Sequence, residues 1–236
     1  MASLIISPHL DDAILSLGGY LLSRKDKNDL VFSLFNTAWT ALDEDYSVQE
    51  ITDMNLEEEK KVISMIGCKH KFGGYNEALL RGYTNWNAPL CIESEKELLE
   101  KIIFEICEVV KKGNFDKIFS PLAIGKHVDH VLVYEVAKKI KRKLEEWKIE
   151  LLFYEDLPYA TYGGRNERLQ EIKNDFALLE KKFNISSFFE QKCCCLKCYK
   201  SQLNDLDIAR IKKYAIPNSF LTEISENVWV LVNERN

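Results

Sequence analysis

The chain begins with a short apolar run that ends in polar residues and leads directly into a helix. Ile5 and Ile6 belong to a stretch of strand character, and Ile14, Leu17 and Leu21 recur at helical spacing behind it. The connecting residues are, in order, Ser7, Pro8, His9, Leu10, Asp11 and Asp12. A strand that passes at once into a helix is typical of an α/β fold, in which polar side chains at the carboxyl end of a strand often form the active site.

His9 and Asp12 are three residues apart in this loop. In a tight turn or a first helical turn, that spacing allows both side chains to converge on one cation, while Asp11 lies beside the site without serving as a ligand. The simpler alternative is that one Asp caps the helix and that His9 is an ordinary loop residue. Taken alone, the stretch favours this simpler alternative.

A second polar cluster, residues 125–130, changes the balance. It follows the apolar run 118–122, it opens a helix, and it contains His127, Asp129 and His130. The chain has only four His, and three of them lie in these two loops. Two strand-end loops that each hold His and Asp, far apart in sequence, indicate a site assembled by the fold from separate segments.

The order of predicted elements brings the two loops together. A regular β-α-β-α alternation predicts a Rossmann-like three-layer αβα fold with a mostly parallel sheet. In the strand order 3-2-1-4-5, strands 1 and 4 are neighbours at the point where the order reverses, and ligands bind there. A dinucleotide site is the rival prediction for such a fold. It is disfavoured because no G-x-G-x-x-G follows the first strand, and Gly18 and Gly19 come too late to bind a pyrophosphate.

The remaining elements follow from periodicity and caps. We predict one domain over 1–236, with a mostly helical part from about residue 160. Gly67 is predicted to end a helix, Ser94 with Glu97 to cap another, and the irregular stretch 73–90 to be a functional loop. The loop 36–46 is long and aromatic. Predicted strands cover 4–7, 30–35, 69–72, 117–122, 149–154 and 228–232. The first predicted helix ends at about residue 24, and further helices are predicted over 50–66, 94–112, 127–147 and 190–202.

Charge limits the kinds of partner. The net charge of -5 argues against nucleic acid or an anionic membrane as the main partner, because both attract positive charge. The basic run 138–143 lies on a helix with an apolar stripe and is interpreted as its solvated face. No signal peptide precedes the first strand and no apolar run reaches membrane-spanning length, so a cytoplasmic protein is expected. A homo-oligomer is compatible with the sequence.

Seven Cys form an odd set without regular spacing, which suits a reducing compartment better than a disulfide framework. The segment 193–198 contains one CxxC, which is compatible with a zinc or redox motif. It lacks the second CxxC that would complete a four-ligand zinc site, and it lacks the strand-loop context of a thioredoxin-like redox motif. We therefore expect these Cys to pack as small apolar residues on a helix.

The two polar clusters closely resemble motifs of the PIG-L (LmbE-like) superfamily of zinc-dependent N-acetylglucosaminyl deacetylases. The likeness also includes residues 154–159, which resemble the Y-E-D-x-P-Y segment of that family, and Lys192 with residues 199–202, which resemble its late K…Y-x-S-Q helix. It extends over most of residues 4–202. The commonest first motif of the family reads H-P-D-D-E, and Leu10 and Ala13 replace its Pro and Glu here. Asn55 stands where many members have Arg.

The resemblance implies a role for each matching residue. It assigns His9, Asp12 and His130 as zinc ligands and Asp11 as the general base. It also implies that His127 polarises the substrate carbonyl and that Asp129 orients His127. Further candidates for binding sugar hydroxyls, from their positions after strand 5 or in the irregular loop, are Glu155, Asp156, Tyr159 and Arg81.

General chemistry agrees with this assignment. Three N/O ligands leave a fourth position for water on Zn²⁺, and amide hydrolysis then needs a base, an oxyanion stabiliser and an acid for the leaving amine. Asp11 is suited to move the proton, and Asp129 is expected to raise the pKa of His127 and keep it protonated. Together with the resemblance, this chemistry predicts a zinc-dependent hydrolase that removes the N-acetyl group from a small-molecule substrate, an N-acetylglucosamine-type sugar or glycoconjugate. The alternatives are a zinc amidase for a larger acyl or thiol-conjugate amide, and an inactive metal-occupied sugar-binding protein.

Overall fold

The computed structural model describes residues 2–24, 28–38, 46–216 and 223–232. Its strands form one mixed sheet, and its helices flank that sheet. The strands are β1 (Ala2–Ser7), β2 (Leu30–Thr37), β3 (Lys69–Asn76), β4 (Phe115–Pro121), β5 (Glu150–Tyr154), β6 (Leu178–Asn184) and β7 (Ser225–Leu231). The helices are α1 (Asp12–Ser23), α2 (Val48–Ile66), α3 (Lys96–Lys112), α4 (Val128–Glu146), α5 (Arg165–Ile172), α6 (Phe189–Leu196) and α7 (Asp205–Ala215). Short 3₁₀ helices cover Ala78–Arg81, Tyr159–Tyr162 and Ser186–Phe188.

The sheet order among the described residues is β3-β2-β1-β4-β5-β7-β6. The first five strands are parallel, and Leu4 of β1 pairs with Leu30 of β2 on one side and Ile118 of β4 on the other. The predicted order 3-2-1-4-5 and the predicted Rossmann-like fold are therefore confirmed. The loops after β1 and β4 leave the same edge of the sheet side by side.

The central strands are apolar because both of their faces are covered. Leu4, Ile5, Ile118 and Phe119 have no exposed surface, as expected for parallel strands between helical layers. Among the helices that cover the sheet, α1 packs with α2 and α6, and α3 packs with α4. Burial on both faces fixes the register, and with it the position of the loops that follow.

The C-terminal part differs from its prediction. β7 agrees with the strand predicted at 228–232, but β6 was missed, and both run antiparallel to their neighbours. β6 is an edge strand whose sequence, LLEKKFN, leaves most side chains exposed, with Leu179 66% exposed. Charged residues are common on edge strands because they discourage pairing with other chains, and they also remove the apolar alternation that marks a strand in sequence.

Two helix ends test the predicted caps. Gly67 ends α2 in the left-handed conformation with φ 80°, as predicted. The Ser94 cap is wrong, since its hydroxyl donates to the carbonyl of Cys91 and α3 begins at Lys96. The helix predicted over 190–202 ends at Leu196, although Cys193 and Cys195 are buried as expected. Residues 39–45 of the predicted aromatic loop lie outside the described residues.

β7 is connected to α1 through a buried carboxylate. α1 is kinked at Leu17, where φ is -129°, and the N–H groups of Gly19 and Tyr20 donate to the Glu226 carboxylate, both at 2.7 Å. The Nζ atom of Lys192 also donates to Glu226, at 2.6 Å. A buried ion pair is tolerated only when its remaining hydrogen bonds are satisfied, which the kinked backbone does here. This contact fixes the helix that follows the first polar loop.

Within the described residues, no helix combines the length and the apolar character needed to cross a membrane.

Candidate active site

The loop after β1 is held by Ser7 and by the start of α1. The Ser7 hydroxyl donates to the carbonyl of His9 at 2.6 Å and accepts the N–H of Ala13 at 2.9 Å. Asp11 occupies the N-cap position, yet its side chain makes no capping hydrogen bond and instead lines a cavity. The simpler interpretation of Asp11 as a helix cap is therefore not what the structure shows.

Three donor atoms from the two loops converge below this cavity. The Nδ1 atom of His9 and the Nε2 atom of His130 each lie 3.1 Å from Oδ2 of Asp12, and they lie 3.4 Å from each other. A tetrahedral ion with ligands at about 2.0–2.1 Å separates them by about 3.3 Å. The three atoms therefore fit a single divalent cation, and their N/O chemistry suits zinc.

Both of these imidazoles are held from behind by buried carboxylates. Nε2 of His9 lies 3.0 Å from Oδ2 of Asp129, and Nδ1 of His130 lies 2.6 Å from Oδ1 of Asp156. With those nitrogens protonated as donors, the opposite nitrogens are free to bind a metal. Carboxylates that fix the tautomer of a ligating histidine are a recurrent feature of metal sites. The structure thus assigns Asp129 and Asp156 to the support of His9 and His130.

Arg81 supports Asp129 in turn. Its Nη1 atom donates to Oδ1 of Asp129 at 2.7 Å, and its Nε atom donates to Oε1 of Glu95 at 3.0 Å. Burial raises the pKa of Asp129, but the hydrogen bond from His9 and the charge of Arg81 outweigh it and lower that pKa to about 2. Arg81 was predicted to bind sugar. The structure corrects this, because its guanidinium lies between two carboxylates and outside the cavity lining.

His127 is positioned by backbone rather than by a carboxylate. Its Nδ1 atom accepts the N–H of Asp129 at 3.2 Å, whereas the Asp129 carboxylate lies 3.8 Å away. Burial, followed by the positive charges of His9 and His130, lowers the pKa of His127 to about 2. This corrects the expectation that Asp129 keeps His127 protonated. His127 also forms a metal-sized group with His9 and His130, with donor atoms within 4.8 Å, a wider set than the one that contains Asp12.

The pKa values of the adjacent carboxyl groups Asp11 and Asp12 are shifted in opposite directions. Burial, followed by the negative charge of Asp12, raises the pKa of Asp11 to about 7. Burial also acts on Asp12, but the imidazoles of His130 and His9 hold the pKa of Asp12 well below its usual range. Two carboxyl groups whose pKa values are pushed apart in this way are suited to different tasks.

The cavity above the donor atoms has a volume of about 420 Å³. Tyr159, a predicted substrate-binding residue, lines this cavity. Gly125 makes room for Tyr159, since a Cβ at residue 125 would lie 2.5 Å from that ring. Glu155 was also predicted to bind sugar, and this is corrected. Its buried carboxylate accepts hydrogen bonds from Tyr214, Asn227 and Trp229 instead. The prediction that Asp156 binds sugar is also corrected, because its carboxylate is paired with Nδ1 of His130.

Several lining residues were not predicted. Glu58, Glu77, Trp86, Tyr162, Tyr199 and Asp207 belong to this group. Glu58 lies on α2, whose Glu- and Lys-rich sequence is also that of an ordinary solvated helix, so no local pattern distinguishes it. Its carboxylate accepts from the hydroxyl of Ser201 at 2.7 Å, which brings the late Y-x-S-Q segment to the cavity. The one sequence feature that pointed to a functional role for Trp86 was its place in the irregular stretch 73–90.

Fold and site together define a class: a Rossmann-like α/β protein with a histidine–carboxylate cluster at the carboxyl ends of β1 and β4. The family described as PIG-L, GlcNAc-PI de-N-acetylase, matches residues 4–141. That is more than half of the chain, and this protein therefore belongs to the PIG-L family, as predicted.

Several similar proteins are deacetylases by name, in agreement with the predicted enzyme class. The 2'-N-acetylparomamine deacetylase of Streptomyces fradiae is 26% identical over 223 residues, which cover 90% of this chain and 77% of the relative. Two crystal structures, a deacetylase of teicoplanin biosynthesis in complex with bog and the zinc-inhibited form of teicoplanin deacetylase, superpose with TM-scores of 0.77 and 0.74. Both are 21% identical and cover 100% of each chain. At that identity they confirm the fold alone.

Proposed function

We propose that this protein is a zinc-dependent hydrolase that removes the N-acetyl group from an N-acetylglucosamine-type sugar or glycoconjugate. The observation that carries the proposal is the convergence of His9, Asp12 and His130 at 3.1–3.4 Å beside Asp11, which has no capping role. We assign those three residues as the ligands, because their ligand atoms lie within 3.4 Å of one another. The corresponding atoms of the group that contains His127 instead of Asp12 are spread over up to 4.8 Å. Zinc, when bound, supplies Lewis acidity that polarises a carbonyl and favours water as a nucleophile at neutral pH.

Asp11 is the proposed proton carrier. It accepts a proton from the attacking water as the C–O bond forms, and it returns that proton to the nitrogen as the C–N bond breaks, which releases acetate and a free amine. Its position at the cavity, next to a ligand but not one of the three, leaves its carboxylate available for this task.

His127 is the proposed stabiliser of the carbonyl oxygen. Because its Nδ1 accepts a backbone N–H, the ring proton of the neutral imidazole lies on Nε2, which can donate to the developing oxyanion. This role needs no positive charge on His127. Asp129 contributes to it through its backbone N–H, while its carboxylate serves His9.

The cavity favours neutral or cationic substrates. Glu58, Glu77 and Asp207 line it in addition to Asp11 and Asp12, and the part of its wall that the structure describes contains no Lys or Arg. The Glu58 carboxylate accepts hydrogen bonds from the neutral N–H and hydroxyl of Ser201. A phosphorylated sugar would meet negative potential here, whereas an amino sugar with a further protonated amine would be attracted.

The test is amine release from a panel of N-acyl sugars by zinc-loaded protein. N-acetylglucosamine, 2'-N-acetylparomamine and their N-butanoyl analogues are incubated with enzyme, and free amine and released acid are measured together. We expect equal amounts of amine and acetate, abolished by a chelator and restored by zinc. Preference for the butanoyl amides would indicate an amidase for larger acyl groups, and binding without release would indicate a sugar-binding protein.

A further inference from the structure

Trp86 has no part in the proposed chemistry, although it lies beside it. The carbonyl of Trp86 accepts the N–H of Val128 at 2.8 Å. Val128 is the first residue of α4 and follows His127 directly, so its N–H is one of the groups that a helix leaves without an internal partner. The irregular loop is therefore attached to the helix start that carries the proposed oxyanion stabiliser.

The indole of Trp86 packs against two rings of the site and remains partly exposed. It stacks on the imidazole of His127 with centroids 5.8 Å apart and an interplanar angle of 22°, and it contacts the ring of Tyr159 at 5.6 Å and 33°. The side chain nevertheless remains 43% exposed and lines the cavity. A large aromatic ring that packs on the site and keeps part of its surface exposed in the cavity offers a flat apolar surface to a ligand.

We propose that Trp86 is a substrate-binding residue that stacks on the pyranose ring bearing the acetamide. This inference rests on the proposed function and names the contact that positions its substrate. The C–H groups of one pyranose face are apolar and slightly positive, which matches the negative face of an indole, and a protonated amine on the sugar adds to that attraction. Because the indole also touches His127, a ring stacked on it lies next to the group that meets the acetamide oxygen.

The experiment compares three variants of the zinc-loaded full-length protein: Trp86→Ala, Trp86→Phe and the control Trp147→Ala. Trp147 is comparably exposed, at 36%, but it ends α4 and does not line the cavity. With N-acetylglucosamine and 2'-N-acetylparomamine, we expect Trp86→Ala to raise KM about tenfold with kcat changed less than about threefold, which is the pattern of lost ground-state binding. Trp86→Phe should restore most of the loss, and Trp147→Ala should match wild type.

Two kinetic results would overturn the inference: an unchanged KM in Trp86→Ala, or a loss confined to kcat, which would mean that Trp86 only supports His127. If Trp86→Ala fails to fold by circular dichroism, Trp86→Phe and Trp86→Leu decide, since only the aromatic variant should keep a low KM. Calorimetric binding of the same sugars separates this inference from the proposed function. Binding without amine release refutes the function while the ratio of Kd values still tests Trp86, and no binding at all refutes both.

Discussion

The donor cluster and the cavity wall are adjacent, but they are built differently. The donor cluster (His9, Asp12 and His130) has side chains that are 14%, 4% and 1% exposed, each in contact with an oppositely charged or polar group. The cavity wall, which includes Glu58, Glu77, Trp86 and Tyr159, is more exposed: Trp86 is 43% exposed and the other three are partly buried. Glu58 accepts a hydrogen bond from the neutral hydroxyl of Ser201, and Trp86 packs on the ring of Tyr159. A metal requires ligands fixed to within a fraction of an ångström, whereas recognition of a sugar tolerates looser contacts.

This contrast implies a division of function. Changes in the donor cluster should remove metal and abolish the reaction, and changes in the cavity wall should alter which substrate is accepted. Asp11 lies between the two, because it faces the cavity and neighbours a ligand. Four substitutions test the contrast, from the largest effect to the smallest.

The largest effect is expected from His130→Ala. It removes one of three donor atoms and leaves Asp156 without its imidazole partner. We expect the zinc content of purified protein, measured by mass spectrometry, to fall from about one equivalent to near zero, with loss of amine release. The control is His70→Gln, because His70 is the fourth histidine and lies outside the cavity lining. Retention of stoichiometric zinc by His130→Ala would refute the ligand assignment.

Asp11→Asn should come next, with its zinc retained. Asn has the size of Asp but does not accept a proton, and loss of a positioned acid/base costs on the order of 10²- to 10⁴-fold in kcat. Asp12→Ala provides the contrast, since it should lose activity through loss of metal. Zinc content and kcat are measured on both. Near-normal turnover of Asp11→Asn at saturating substrate would assign the proton transfer to another group.

Asp156→Asn should weaken zinc binding by about 10- to 100-fold, because the support of a ligating histidine is worth that much. Its neighbour is the control. Glu155→Gln should leave zinc affinity unchanged and instead lower the free energy of unfolding by about 1–3 kcal/mol, because Glu155 accepts buried hydrogen bonds from Tyr214 and Trp229. Zinc affinity is measured by competition with a chelator, and stability by urea unfolding. Equal zinc affinities in the two variants would refute the distinction.

The smallest effect is expected from Glu58→Gln in the cavity wall. Gln still accepts hydrogen bonds from Ser201 but removes one negative charge. We expect the preference in kcat/KM for a 6-amino over a 6-phospho derivative of N-acetylglucosamine to fall about threefold to fivefold. Glu57→Gln, on the exposed side of α2, is the matched control. An unchanged preference would show that the charge of Glu58 does not contribute to substrate choice.

The sequence alone determined the parallel part of the sheet and the two loops at the point where the strand order reverses. Apolar runs such as Leu4–Ile6 and the helical spacing behind them are local patterns, and the order 3-2-1-4-5 follows from the rules of βαβ connection. The sequence singled out His9, Asp12 and His130 as candidate ligands from the two His- and Asp-containing loops and from the family resemblance, and the structure brings their ligand atoms to within 3.4 Å of one another. β6 was missed because an exposed, charged edge strand carries no apolar alternation.

Only the tertiary structure decided which group supports which. Asp156 and Arg81 were taken for sugar ligands because sequence shows that a polar residue lies near the site, but not which way its side chain points. Their partners, His130 and Asp129, are 26 and 48 residues away along the chain. Trp86 and Glu58 reach the cavity from a loop and a helix whose local patterns allow an exposed position. Contacts between distant segments depend on how the elements pack, and packing is a property of the whole fold.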